Sequence, residues 1–368
     1  MGIVTVLWAL GMFSLAFGTD VNGLIGGFDY FWMNGVGMEP GAYGAGIPFL
    51  AFFVFQMMFA IITPALITGA IAERINFKAW IPFMALWVLF VYCPIAHWVW
   101  GTGGWIAKMG GLDFAGGLVV HMSSGFSALV ASSLLGRRHD KAPMKSYNIA
   151  IVVLGTALLI FGWFGFNAGS ALAANGIAAQ AFATTFFGCA ASFFAWMLVD
   201  WVNDRPTLVG ASIGAVAGLV AITPAAGYVT LPAAMVIGLS AGVICNYAVR
   251  LFKAKFHVVD DTLDVFACHG VGGMLGTVLT GVFASSAVNP AATDGLLYGG
   301  TKVFTGNLLA AGVVGLYSIA VTALLLVLVK LVVPFRVSRE QEAKGLDSLH
   351  GESIISLDEI HVTKSATA

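Results

Sequence analysis

DFAGGLVVHMSSG, residues 113–125, has an echo in DTLDVFACHGVGG, residues 261–273. In each stretch an Asp (Asp113, Asp261) precedes a His (His121, His269) by eight positions, and a Gly (Gly125, Gly273) follows four later. Both stretches open apolar runs, at about 114–136 and 262–284, and eight further runs surround them: 1–18, 47–71, 79–100, 147–169, 176–199, 207–223, 230–252 and 303–333. A bilayer crossing takes roughly 20 apolar residues, so the expectation is ten spans, the seventh short and the tenth long. With that count the fourth and ninth spans run in opposite directions. Asp-x7-His-x3-Gly then points to an inverted repeat, an architecture of membrane transporters.

Composition agrees. Of 368 residues, 59% are hydrophobic and 10% charged, where a soluble domain carries about 25% charged; mean hydropathy is +0.92. The 46 glycines suit close helix packing in lipid. A net charge of -1 argues against nucleic acid as a partner, which would call for a strongly basic protein surface. Cys93, Cys189, Cys245 and Cys268 all lie in apolar runs, which suggests neither a disulfide framework nor a CxxC metal site.

Topology follows from the basic residues. Of the 17 Lys and Arg, all but Lys108 and Lys302 fall on one face, in alternate loops and the run ends beside them or, from Lys330 onward, at the end of the last run and in the polar tail. That face, with Arg74, Arg137, Arg138, Lys141, Lys145, Arg205, Arg250, Lys253, Arg336 and Lys364 among its residues, is expected to be cytoplasmic. Residues 1–333 then form the membrane domain and 334–368 a cytoplasmic tail, with both termini inside. Residues 1–18 lack a basic n-region, so they read as a span and not a signal peptide.

Ionisable groups inside spans are costly and by default face a pathway or bundle interior. His121 and His269 are therefore a candidate pore-lining pair; the alternative is two histidines that each bond a backbone carbonyl. Zinc lacks a third ligand beside them. His97, next to Trp98 and Trp100 at a span end, reads as interfacial. Asp113 is placed to cap the fourth span, as Asp261 and Asp264 are for the ninth, with direct substrate contact the other option for Asp113. The aromatics of 55–59, 98–100 and 163–166 suit a lipid-facing belt or, together with a hydroxyl, a cation site.

The motifs FQMMFAIITPALI (55–67), GAIAER (69–74), LDFAGG (112–117) leading to His121, GWFGFNAGS (162–170) and DVF (264–266) leading to His269-Gly270 resemble, in order and over nearly the whole chain, the ammonium transporter family. The resemblance implies an all-α polytopic membrane protein, an inverted-repeat bundle with a pore in each subunit of a homotrimer, no enzyme activity and no cofactor. By motif it implies an outer ammonium-recruitment site of Phe59, Trp100 and Ser170. It also implies a gate of Phe59 and Phe166, a pore lined by His121 and His269 beside Trp163, and Asp113 as structural support. Ammonium or ammonia is the implied substrate, with methylammonium as analogue, and a PII-type regulatory protein the implied cytoplasmic partner. Trp100 separates the chain from the related Rhesus proteins, which generally lack the outer Trp. The tail stretches Gly345-Leu346-Asp347 and His350-Gly351-Glu352 also resemble the family's.

Two departures stand out. The family has eleven spans, and its first, with Pro-Gly-Leu and Tyr-Gly-Gly, is not seen here; the expectation is a longer native product with a further helix ahead of Met1. Ile354 and Ile355 stand where the family often has Ala-Tyr, so coupling of tail to pore is expected to differ. Two further classes remain in view: a membrane-embedded enzyme, which lacks a nucleophile and base constellation, and an ammonium sensor signalling through its tail.

Overall fold

The structure, a computed structural model, describes residues 1–140, 146, 148–256 and 259–351. Lys141, Lys145, Glu352, Ile354, Ile355 and Lys364, each singled out above, lie outside the described residues.

The ten expected spans correspond to ten apolar helices. These are α1 (Gly2–Phe17), α2 (Phe49–Ile71), α3 (77–100), α4 (Gly117–Leu135), α5 (Ile149–Gly169), α6 (Gly176–Asn203), α7 (Leu208–Ile222), α8 (Leu231–Lys255), α9 (Phe266–Phe283) and α10 (Lys302–Val332). Eight are long and apolar enough to cross a membrane; the shorter two, α1 and α7, fill the first and seventh expected places. A short α11 (Arg339–Lys344) follows in the tail. Between α1 and α2, a two-residue ribbon pairs β1 (Asp20–Val21) with β2 (Ile25–Gly26) in antiparallel register.

Local chemistry sets the helix starts. Asn148, Asn175, Thr207 and Thr230 each accept a backbone N–H from the first turn of the helix they precede. The Gly69 carbonyl accepts the Leu263 N–H at 3.0 Å and so ties the end of α2 to the approach to α9. Helices α6, α7 and α8 meet through small residues: a Cβ on Gly218 would strike Ser192, and one on Gly238 would strike the Gly188 backbone. Such contacts replace the water-driven packing that lipid cannot supply.

Helices α4 and α9 are antiparallel. Asp113 precedes α4 at the end of a connection in which Gly110 packs against Lys302, whereas Asp260 and Asp261 precede α9 on the opposite face, among Arg74, Arg138 and the tail. Both helices begin with a wide π turn, Gly117–Met122 and Phe266–Val271, and each π turn contains the motif histidine. The motif glycines lie where the two helices cross: a Cβ on Gly125 would fall on the Gly270 backbone, and one on Gly273 would sit 3.0 Å from both the Gly117 carbonyl and His121 Cβ.

The basic face is built as a latch. Asp260 receives the buried Arg74 guanidinium at 3.0 Å and a bidentate pair from Arg138 at 2.8 and 3.0 Å. Burial would raise the Asp260 carboxyl, but the Arg138 bonds and the two guanidinium charges hold it below the ordinary range. In the tail, Arg336 pairs with Glu342 at 2.7 Å, and Glu342 also accepts the His139 N–H at 2.7 Å. The tail is tied to the α2–α3 loop as well, through Asn76 N–H to Phe335 O and Val337 N–H to Arg74 O, each at 3.0 Å.

Two sequence readings are corrected here. His97 is not interfacial: it is fully buried, with Nδ1 2.9 Å from the Ala16 carbonyl and Nε2 3.0 Å from the Asp20 carboxylate. The ribbon between α1 and α2 folds back over the end of α3 and removes it from the lipid interface. Asp264 is not a side-chain cap; its carboxylate pairs with Lys253 at 2.7 Å, and Asp261 alone caps α9, accepting the Phe266 N–H at 2.7 Å.

Candidate functional site

The eight residues singled out in sequence as site candidates come together along one column. At the end away from the basic face, a vestibule of about 150 Å³ is lined by Phe59, Trp100 and Ser170 with Phe17, Tyr43 and Gln56 among the remaining residues. The Trp100 and Phe59 rings meet edge to face, centroids 5.5 Å apart. The Phe59 ring lies 4.5 Å from that of Phe166. Below it, the His121 ring stacks on Phe166 at 5.9 Å and on Trp163 at 5.4 Å. His121 and His269 then face each other with Nδ1 to Nδ1 at 3.1 Å. Phe59 and Trp163 are buried, so neither belongs to a lipid-facing belt.

Each member is held by its own element. Trp100 ends α3 and donates its Nε1–H to the Asp113 carbonyl at 2.9 Å. The Asp113 side chain is wholly occupied, with Oδ1 accepting from Gly116 and Gly117 at 2.8 and 2.7 Å and Oδ2 from Leu118 and Val119 at 2.7 and 3.3 Å. Burial raises the Asp113 carboxyl above its ordinary value against the pull of these four N–H groups. The capping reading of this residue is what the geometry contains; it joins the Trp100 indole to the start of the His121 helix. On α5, Ser170 donates to the Phe166 carbonyl at 2.9 Å, which leaves the lone pairs of its oxygen free. Trp163 donates to Thr223 Oγ1 at 2.9 Å, and this fixes its ring beside His121.

The histidine contact carries a constraint. Two Nδ1 atoms at hydrogen-bond distance need one proton between them, so the neutral rings adopt opposite tautomers. His121 Nε2 is buried and has no hydrogen-bond partner among the described residues. One ring therefore offers an Nε2–H and the other a bare Nε2 lone pair.

Sequence reasoning assigns no role to Gln56, Tyr43 or Thr223. Gln56 stands one residue after Phe55 and one turn before Phe59 on α2, which is a usable signal. Tyr43 comes from the long α1–α2 connection, stacks on Phe52 at 4.9 Å and accepts the Thr102 N–H at 2.8 Å; no local pattern marks it.

A family model described as Ammonium Transporter Family matches residues 1–354. An ammonium transporter of Bacillus subtilis (strain 168) is 46% identical over 354 residues, covering 96% of this chain and 87% of that protein. The crystal structure of Saccharomyces cerevisiae Mep2 superposes with a TM-score of 0.85 at 37% identity, covering 92% of this chain and 80% of that one. A solved structure described as a sensor Amt protein gives a TM-score of 0.85 at 30% identity, over 94% of this chain and 86% of that one. With its fold, its helix order and nearly its whole length matched, this multi-pass membrane protein belongs to the ammonium transporter family.

Proposed function

We propose that the chain moves ammonium across the cytoplasmic membrane by recruiting the cation outside, removing its proton and passing ammonia along the two histidines. The observation that carries this reading is the unbroken series Trp100, Phe59, Phe166, His121, His269, which leads from an aromatic vestibule to a paired imidazole with an unpartnered nitrogen. Ring faces of Trp100 and Phe59 favour a cation by up to about 2 kcal/mol when desolvated, and Ser170 supplies an oxygen lone pair.

Magnitudes support deprotonation at the Phe59–Phe166 gate. Burying an intact cation has an idealised cost of order 20 kcal/mol and several after relaxation. Removing a proton from an amine about three units above neutral costs about 4 kcal/mol at 1.36 per unit. The aromatic closure and the apolar surround favour the neutral species. Proton passage is then separate, with the Nδ1 to Nδ1 bond as its candidate relay.

In this reading residues 1–333 are the transport domain, and the basic face with the tail is cytoplasmic, in keeping with the positive-inside rule. A homotrimer fits the largely apolar and exposed surface of α5, including Leu154, Leu158 and Phe161. A PII-type protein docking at the face formed by Arg138, His139 and the tail is the partner the charge pattern supports. The resemblance to a sensor Amt protein favours one second reading, in which the tail latch reports occupancy to a partner without appreciable flux.

Uptake and current in proteoliposomes test both. Ammonium flux is expected for the wild type, with His121→Ala and His269→Ala each abolishing it or changing its ion selectivity while assembly persists. Wild-type flux, current and selectivity in both variants would leave the histidines structural. No flux in the wild type, with tail-dependent capture of a PII-type protein, would select the sensor.

A further inference from the structure

The vestibule contains one polar group that the recruitment reading does not use. Gln56, on α2, lines it together with Phe59, Trp100 and Ser170, is only 7% exposed, and its Oε1 has no hydrogen-bond partner among the described residues. Buried amide oxygens are almost always paired, because leaving one unpaired forfeits its hydration without compensation. The other polar groups nearby are committed: the Trp100 Nε1–H to the Asp113 carbonyl, the Ser170 hydroxyl hydrogen to the Phe166 carbonyl, and the Tyr43 oxygen to the Thr102 N–H. The Tyr43 O–H is a donor and of no use to a cation; what remains free to accept is the Ser170 oxygen and the Gln56 Oε1.

That inventory matches a specific ligand. Ammonium has four N–H donors and no lone pair, so it needs electron-rich partners on every side. Two ring faces and one hydroxyl oxygen supply three, and a carbonyl oxygen supplies the fourth. A side-chain amide can turn either end to a cavity, and a cation selects the oxygen. Resting on the recruitment reading above, we propose that Gln56 is an ammonium-binding residue of the outer vestibule, its Oε1 accepting an N–H from the cation opposite Ser170.

The test is ammonium transport by the reconstituted full chain, read as half-saturating concentration and as saturated rate. Gln56→Met keeps the volume and removes the acceptor. It should raise the half-saturating concentration about tenfold, as expected for one hydrogen bond to a charged group, and leave the saturated rate near wild type. At pH 8, Gln56→Glu, with acceptors only, should lower the half-saturating concentration. Trp100→Leu separates the two layers of the argument. If it shifts the concentration dependence and Gln56→Met does not, the Gln56 assignment is wrong and the recruitment site stands; if Trp100→Leu has no effect, the recruitment reading itself falls. Should Gln56→Met fail to reconstitute, Gln56→Glu decides alone: a lowered value supports the assignment, and an unchanged or raised one overturns it.

Discussion

Asp113-to-Gly125 and Asp261-to-Gly273 share a sequence pattern, a π turn and a histidine, yet their surroundings differ at both ends. Asp113, away from the basic face, gives all its accepting capacity to four N–H groups of α4. Asp261, on the basic face, caps α9 through Oδ2 but keeps a buried Oδ1 without a partner among the described residues, and it shares its neighbourhood with Asp264 and Lys253. At the crossing, a Cβ on Gly125 would fall directly on backbone, while one on Gly273 would stand 3.0 Å from its nearest neighbours. The repeat thus fixes positions without fixing environments. A pattern of residue types places two carboxylates and two imidazoles symmetrically, and the neighbours each one meets decide what it does.

The largest expected effect breaks the crossing. Gly125→Ala would put a methyl group on the Gly270 backbone, which cannot move aside without dragging His269 with it. Overpacking of this kind costs typically 1–3 kcal/mol and more where backbone must shift, so the variant is expected to lose about 3 kcal/mol or fail to assemble. Gly273→Ala, whose new methyl meets His121 Cβ and a carbonyl at 3.0 Å, should cost about 1 kcal/mol. Thermal unfolding of the two purified variants in one detergent compares them directly. Equal losses would mean that the two glycines are equivalent after all.

A smaller effect, opposite in sign between the halves, comes from the carboxylates. Asp113→Asn leaves one accepting oxygen for four N–H groups and turns an NH2 toward the others. With at least one buried donor orphaned, the expected loss is about 2 kcal/mol. Asp261→Asn loses no bond, because one oxygen suffices for Phe266. Burial pushes the Asp261 carboxyl up from 3.8 to about 6, with the Asp264 charge adding to the rise. A raised folded value means that the folded state holds the proton more tightly. Stability from this group is therefore full below pH 3.8 and is lost as pH rises through about 6. At 1.36 kcal/mol per unit the loss amounts to at most about 3 kcal/mol at neutral pH. Asp261→Asn should match or exceed the wild type in stability at pH 7 and flatten the decline between pH 4 and 6. An unchanged slope across that window would remove Asp261 as its source.

Much of this arrangement is legible in the amino-acid order. Apolar run length and the alternation of basic loops point to ten helices because a bilayer imposes both, and the ends of most runs fall within a few residues of the helices found. The motif histidines are legible as a pair because a charged or polar group in lipid has few explanations. His97 is not, since burial there depends on the Asp20 ribbon folding back across 77 residues of chain, a contact with no periodic signature. Asp264 misleads for a related reason: two carboxylates three residues apart compete for one cap, and the choice depends on Lys253 reaching across from α8. The π turns and the Gln56 orphan arise from packing alone.

The smallest expected effect concerns the lysines that sit at either end of the comparison. On the basic face, Lys253 is 60% exposed and meets an Asp264 that is 9% exposed at 2.7 Å. On the opposite face, Lys108 is 63% exposed and stands 3.5 Å from an Asp20 already bonded by His97 and the Gly23 N–H. An ammonium group in water gains little from such a partner, because solvent competes for it and its side chain loses freedom on pairing. Lys253→Gln should therefore cost no more than about 1 kcal/mol, and Lys108→Gln less, because Asp20 keeps its other partners. Salt sharpens the contrast: near 1 M the Debye length falls to about 3 Å, so the difference between wild type and Lys253→Gln should shrink as salt is raised. A cost well above this range that persists in high salt would show that the Lys253 pair behaves as a buried one, and that the Asp261 and Asp264 carboxylates depend on it as firmly as Asp113 depends on its four N–H donors.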